Sequence, residues 1–337
     1  MPEMRRNPIT GEWAIIATER AKRPYNHTFD EDVFISGNAH DSTCCFCYGN
    51  EHTTPPEVLT YREKPNASNM SGWTLRVVTN KFSALSPDGE FNITNDGSLK
   101  SFTYARGNAD VVIESPHHTL NTALFPLPQI KLVLKAYRER YIALAKDPLI
   151  QYIAIFKNNG IEAGATLSHP HSQIIATPVV PPVIEYEIAG AKKYFKDNNR
   201  CVYCDMIEDE LKDGSRVIYE NEEFLSFAPY ASKSPFETWV MPKFHSSCYE
   251  DLTNSQLKSL AQVWKITLYK IYKGLDNPPY NYYIHTSPTQ QDTKKFYHWH
   301  MELIPKMTVL AGFELGTGMC INIAVPEHSA EYLREVI

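Results

Sequence analysis

The sequence predicts an α+β protein built as two copies of one module, on three observations. A Cys-x-x-Cys pair, a histidine ending an apolar proline-containing run, and a His-x-His motif occur in that order twice in 337 residues. Between the second and third features each copy carries a long amphipathic stripe and then a strand-like run. The two strand-like runs begin at Gln151 and Tyr280, and His169 and His298 are offset by the same 129 residues.

Taken in chain order, the first copy has Cys44 and Cys47 in "CCFC", then "VVIESPHH" ending at His118. In "IKLVLKAYRERYIAL", Ile130, Val133, Leu134, Tyr137, Tyr141 and Leu144 fall on one helical stripe. "QYIAIF" reads as a strand and "HPHSQI" as the strand that carries the histidines. Because side chains two apart in a strand share a face, His169, His171 and Gln173 are expected on one side of the sheet. "TPVVPPV", Thr177 to Val183, reads as an extended linker between the copies, which are taken as 1–180 and 181–337. The second copy repeats the order with Cys201 and Cys204, His245, a helix striped by Leu257, Leu260, Trp264, Leu268 and Ile271, and "HWHMEL". Thr253 with Gln256 three residues on predicts a capping box at the start of that helix.

Composition narrows the function. Apolar residues at 43% and charged residues at 21% are ordinary for a water-soluble globular chain. A net charge of −6 gives no basic field, which argues against nucleic acid as a partner. No run reaches membrane-spanning length and the start lacks a signal-peptide core, so no membrane role and a cytoplasmic location are expected. Seven cysteines without a secretion signal point to metal or free thiols rather than a disulfide framework.

Thiolate and imidazole together suit a tetrahedral cation. Cys44, Cys47, His118 and His169 are the candidate ligands of one site, with Cys45 and His117 as adjoining alternatives. Cys201, Cys204, His245 and His298 are those of a second. Four protein ligands close each site, making it structural; zinc is expected at both, with iron the alternative at the second. A compact nucleic-acid-binding zinc finger is excluded by the charge and by the distance of the histidines from the cysteines.

With His169 engaged, His171 is left free on the same strand. A neutral imidazole can attack phosphorus and so divide one displacement into two. Gly160 and Gly164 let backbone N–H groups approach a phosphate, and Asn158 and Thr166 add neutral polar contacts. Gln173 can donate an amide hydrogen bond to a nonbridging oxygen but cannot protonate a leaving group. The equivalents in the second copy are His300 and Glu302, and a carboxylate there repels phosphate, so only the first copy is expected to be catalytic.

These motifs resemble the galactose-1-phosphate uridylyltransferase family of the histidine triad superfamily. "RRNPITGEWAIIATERAKRP", "CCFC", "VVTNKFSAL", "ESPHH" and "HPHSQ" carry the likeness, which extends over essentially the whole chain. The resemblance implies two tandem histidine-triad-like modules, each an antiparallel sheet with a long packed helix, in a pseudo-symmetric duplicated fold. It implies a ping-pong nucleotidyl transfer through His171, most simply from UDP-glucose to a hexose 1-phosphate in galactose metabolism. Partners are a nucleoside diphosphate sugar and a sugar 1-phosphate or phosphate, and the assembly is a homodimer. By position Arg20 and Arg23 match phosphate contacts, and Asn80, Phe82 and Val111 match base and ribose contacts. Asn158, Gly164, Thr166 and Gln173 match the phosphate cradle. Phe313, Glu314, Gly316 and Thr317 match the hexose or acceptor region. Thr308, Phe313 and Cys320 stand where uridylyltransferases of the best-known type carry lysine, tyrosine and glutamine. There the chain, with "PFETWVMPKFHSS" and "PPYNYYIHTSP", is more similar to the ADP-glucose phosphorylase branch, in which phosphate is the acceptor.

Overall fold

A computed structural model describes residues 2–22, 39–63 and 72–337. The first half contributes β1 (Glu3–Arg6), β2 (Trp13–Ile16), β3 (Glu57–Arg62), β4 (Trp73–Thr79), a short hairpin β5 (Thr94–Asp96) and β6 (Lys100–Phe102), and β7 (Asn108–Ile113). Helix α1 (Leu127–Leu144), β8 (Tyr152–Asn159) and β9 (His171–Thr177) complete it. The second half opens with α2 (Pro182–Asn198) and α3 (Val202–Asp213), followed by β10 (Val217–Glu220), β11 (Phe224–Phe227) and β12 (Thr238–Pro242). After these come α4 (Asn254–Gly274), β13 (Tyr280–His285), β14 (His300–Pro305), α5 (Gly312–Thr317), β15 (Ile321–Asn322) and α6 (Pro326–Glu335).

The duplication is visible in the strand order. One ten-stranded sheet runs β10-β11-β12-β14-β13-β8-β9-β7-β4-β3, so each half has the same order outward from the centre. Every pairing in it is antiparallel, including β13 with β8, which joins the halves from Tyr280↔Asn159 to Ile284↔Ile155. The predicted stripes of α1 and α4 are the buried faces of these helices, and both feed one hydrophobic cluster against the sheet. The Thr253–Gln256 capping box forms as expected, with the Thr253 hydroxyl accepting from the Gln256 N–H at 3.2 Å.

Two expectations are corrected. The linker is shorter than Thr177 to Val183, because Thr177 ends β9 and Pro182 already opens α2, where its fixed φ and missing N–H suit the first helical position. The histidine strand begins at His171, not at His169, which precedes it outside the strand with its Nε2 bonded to Ser115 O. Likewise β14 begins at His300, after His298. Strands β1 and β2 form a separate sheet with β15, so the two ends of the chain meet. Among the described residues no helix is long and apolar enough to cross a membrane.

Candidate active site and metal centres

Ligand atoms of Cys44, Cys47, His118 and His169 all lie within 4.8 Å of one another, and so do those of Cys201, Cys204, His245 and His298. His118 Nδ1 is 3.3 Å from Cys47 Sγ, and His169 Nδ1 is 3.6 Å from Cys47 Sγ and 3.8 Å from Cys44 Sγ. In the second group, His245 and His298 place Nδ1 at 3.2 and 3.7 Å from Cys204 Sγ. A tetrahedral ion with bonds of about 2.3 Å to sulfur and about 2.0 Å to nitrogen sets those atoms roughly 3.5 Å apart, so both groups fit one.

The far ring nitrogens are held so that Nδ1 is the free lone pair. His169 Nε2 donates to Ser115 O at 2.8 Å, His298 Nε2 to Pro242 O at 2.9 Å, and His245 Nε2 to Lys294 O at 2.7 Å. Burial pulls His169 down to about 3, which keeps its imidazole neutral. It pushes the Cys47 thiol up to about 11, so a thiolate there needs a cation beside it. Of the adjoining residues, Cys45 lies outside the group and His117 is exposed.

His171 is buried at 9% exposure and donates Nδ1–H to the carbonyl of His169 at 2.8 Å, which leaves the lone pair on Nε2. Burial holds it below the ordinary histidine value; the His169 carbonyl opposes this, and the Lys157 charge adds to it. Phe46 packs edge-on at 5.5 Å between ring centroids. Gln173 shares the His171 face and pairs with Val111 on β7 and Phe156 on β8. After β8, Gly160 and Gly164 take φ of 87° and 88°, the left-handed region, and flank a 3-10 turn. Asn158, half-buried, turns its Nδ2 toward Gly164, while Gly164 and Thr166 are exposed. This cradle has a brace that the sequence did not flag: Asn281 of β13 donates Nδ2 to Asn158 Oδ1 and to Ala163 O, each at 2.8 Å.

Other expected site residues are more dispersed. Arg20 is half-buried in a 3-10 turn over Thr18–Lys22, and Arg23 lies outside the described residues. Asn80 Oδ1 accepts from the Phe82 N–H at 2.9 Å, and Phe82 projects with 87% exposure. Phe313, Glu314, Gly316 and Thr317 sit on α5, whose hydrogen bonds are local, such as Thr317 Oγ1 to Phe313 O at 2.7 Å. That segment leads into β15 and the N-terminal sheet, not into the strands that carry His171 and His300.

In the second half His300 repeats the His171 geometry, with Nδ1 3.1 Å from His298 O. Its ring is stacked under Trp239 at 4.7 Å, and its Nε2 is 3.3 Å from Glu302 Oε1. His285 and Glu187 pair beside it at 2.8 Å, and these four residues form a third buried group able to hold a cation. Burial opposes the charge of Glu302, but the adjacent His300 ring and the His285 charge hold its carboxyl down to about 2.

Residues 1–181 match the model of the galactose-1-phosphate uridyl transferase N-terminal domain, and 187–336 that of the C-terminal domain. An ADP-glucose phosphorylase of Arabidopsis thaliana is 39% identical over 99% of this chain and 93% of its own. A galactose-1-phosphate uridylyltransferase of Thermotoga maritima is 31% identical over 99% and 98%. The crystal structure of an Arabidopsis thaliana ADP-glucose phosphorylase with bound ADP-glucose superposes with a TM-score of 0.84 at 36% identity, covering all of both chains. With both domain models and two full-length relatives of that kind, the chain belongs to the galactose-1-phosphate uridylyltransferase family of nucleotidyltransferases.

Proposed function

We propose that the protein takes a nucleotidyl group from a nucleoside diphosphate hexose onto His171 and passes it to a second phosphate compound. The observation that carries this reading is the His171 Nδ1–H bond to the His169 carbonyl, which places the lone pair of the neutral ring on Nε2, while burial keeps the ring neutral. The Nε2 lone pair forms the P–N bond as the bond from the α-phosphorus to the bridging oxygen breaks. The sugar 1-phosphate leaves as an anion, so no acid is required and Gln173 in that position suffices. Gln173 and Asn158 donate amide hydrogens to the nonbridging oxygens where charge gathers, and the Gly160–Gly164 loop admits them closely. Arg20 and Arg23 offer charge to the same phosphates; Asn80, Phe82 and Val111 serve the base and ribose. A zinc ion at either cluster, with iron the alternative at the second, supplies structure and no open reacting position.

For the donor and acceptor, the reading favours ADP-glucose and inorganic phosphate, with glucose 1-phosphate and ADP as products. It is supported by the higher identity to the relative named ADP-glucose phosphorylase. Thr308, Phe313 and Cys320, standing where hexose-binding lysine, tyrosine and glutamine are otherwise found, support it too. UDP-glucose with a hexose 1-phosphate is the second reading, supported by the "HPHSQ" form of the active-site strand. A homodimer and a cytoplasmic location belong to this proposal; exposed Phe313 and Leu315 are apolar surface suited to a second copy. Intact-mass measurement after separate incubation with ADP-glucose and UDP-glucose tests it. An adenylyl gain with the first, mapped to His171 after digestion and discharged by phosphate, is expected. A uridylyl gain discharged by hexose 1-phosphate selects the second reading, and no gain with either, or a gain elsewhere than His171, overturns both.

A further inference from the structure

The two halves differ at one backbone position beside the nucleophile. In the second half the β13–β14 ladder runs through to His285↔His300, so His300 has a backbone neighbour on the inner side. In the first half the β8–β9 ladder stops at Phe156↔Gln173, two residues short of His171. The strands part there, which lets the Gly160–Gly164 loop diverge into the cradle. On the other side His171 pairs with Ile113, but the Glu114 N–H goes to Pro170 O, which makes this a non-hydrogen-bonded pair and turns the His171 carbonyl toward β8. The parting therefore leaves the His171 carbonyl without a ladder donor, inside the protein, at the first residue of its strand.

Lys157 fills the gap. Its ammonium, 1% exposed, donates to His171 O at 3.0 Å and to Glu114 Oε2 at 2.8 Å, and Glu114 is wholly buried. Glu114 in turn accepts from the Thr122 hydroxyl at 2.8 Å, and its backbone N–H donates to Pro170 O at 3.1 Å. Matching Phe156↔Gln173 to Tyr283↔Glu302 makes Ile284 the counterpart of Lys157. The fold is thus satisfied by an aliphatic side chain where the ladder is closed. A buried ion pair is seldom the most stable filling of such a site, because desolvation offsets most of its attraction.

We infer that Lys157, anchored by Glu114, is a positioning residue that fixes the backbone of His171 where the sheet opens for substrate. The inference rests on His171 being the nucleotidyl acceptor. Its effect is on the orientation of the imidazole, and small displacements of a reacting group are costly in rate.

The test compares wild type with E114Q/K157M, which removes the ammonium while the introduced amide oxygen still accepts from the Thr122 hydroxyl. If that protein does not fold, E114L/K157M, apolar at both positions, takes its place. Thermal midpoint and metal content identify the folded protein, and rapid-quench intact mass with ADP-glucose or UDP-glucose follows the adduct. The expected result is adduct formation slowed on the order of tenfold to a hundredfold at saturating nucleotide sugar. The half-saturating concentration stays unchanged, a split that general loosening of the fold does not produce. A folded variant that labels at the wild-type rate overturns the positioning role while leaving His171 as nucleophile. Absence of adduct on His171 in the wild type overturns both.

Discussion

His171 and His300 donate Nδ1–H to the carbonyl two residues earlier, at 2.8 and 3.1 Å, so the difference in their chemistry comes from what stands next to Nε2. Beside His300 it is Glu302, a carboxylate also bonded by Tyr283 at 2.7 Å; at the corresponding place in the first half it is neutral Gln173. The contrast predicts the effect of Gln173→Glu. The substitution keeps the size of the side chain, removes an amide donor and puts a negative charge against a diphosphate. Nucleotidyl transfer is expected to fall on the order of a hundredfold to a thousandfold, with thermal midpoint and metal content unchanged. Activity within twofold of wild type would show that Gln173 does not contact the reacting phosphate. The residues at this scale that the sequence reveals are those whose spacing is itself the signal: two Cys-x-x-Cys pairs, two His-x-His motifs and Gln173. Lys157, Glu114 and Asn281 carry no such signal. Their roles depend on where a ladder opens and which strand lies alongside, and those are facts of long-range pairing.

Among the elements, those with a strong period are legible in advance. The stripes of α1 and α4 become the core faces, and the Thr253–Gln256 cap starts α4. The region from 182 to 213 is not, because "TPVVPPV" has the composition of a linker although its last proline pair starts α2. The partner of α2 is equally hidden: Gly190 lies against the N-terminal turn, where an added Cβ would stand 1.9 Å from the Ile9 carbonyl oxygen. That turn is rigid, since Asn7 Oδ1 accepts from Ile9 N at 2.8 Å and Thr10 N at 3.1 Å, and Ile9 is part of a buried cluster with Ala191. Gly190→Ala must therefore push helix and turn apart. Overpacking of this kind costs about 1–3 kcal/mol and lowers the thermal midpoint by several degrees. Gly312→Ala, which meets no neighbour within 4 Å, is the matched control and leaves the midpoint in place. Equal midpoints for the two variants would show that α2 does not bind the N-terminal turn tightly.

For the whole molecule, duplication in the sequence becomes one sheet, and this has a consequence for how the protein unfolds. The β8–β13 pairing and the shared cluster under α1 and α4 place residues of both halves in a single core. The N-terminal strands reach across to β15, and Arg5 binds Glu327 of α6 at 2.8 Å, as does Arg216. One half has no complete core without the other, so one cooperative transition is expected for the chain. The two Cys/His groups lie at separate places on this frame, each tying a loop or helix start to the histidine preceding a central strand. Cys47→Ser and Cys204→Ser test both statements together. Each variant is expected to lose one metal equivalent by elemental analysis, and its single thermal transition to shift downward as a unit, because metal-binding energy at either end stabilises the shared core. A variant that splits into two transitions, one unmoved, would mean that the halves fold independently despite the continuous sheet. Full metal content in either variant would remove the substituted cysteine from the ligand set.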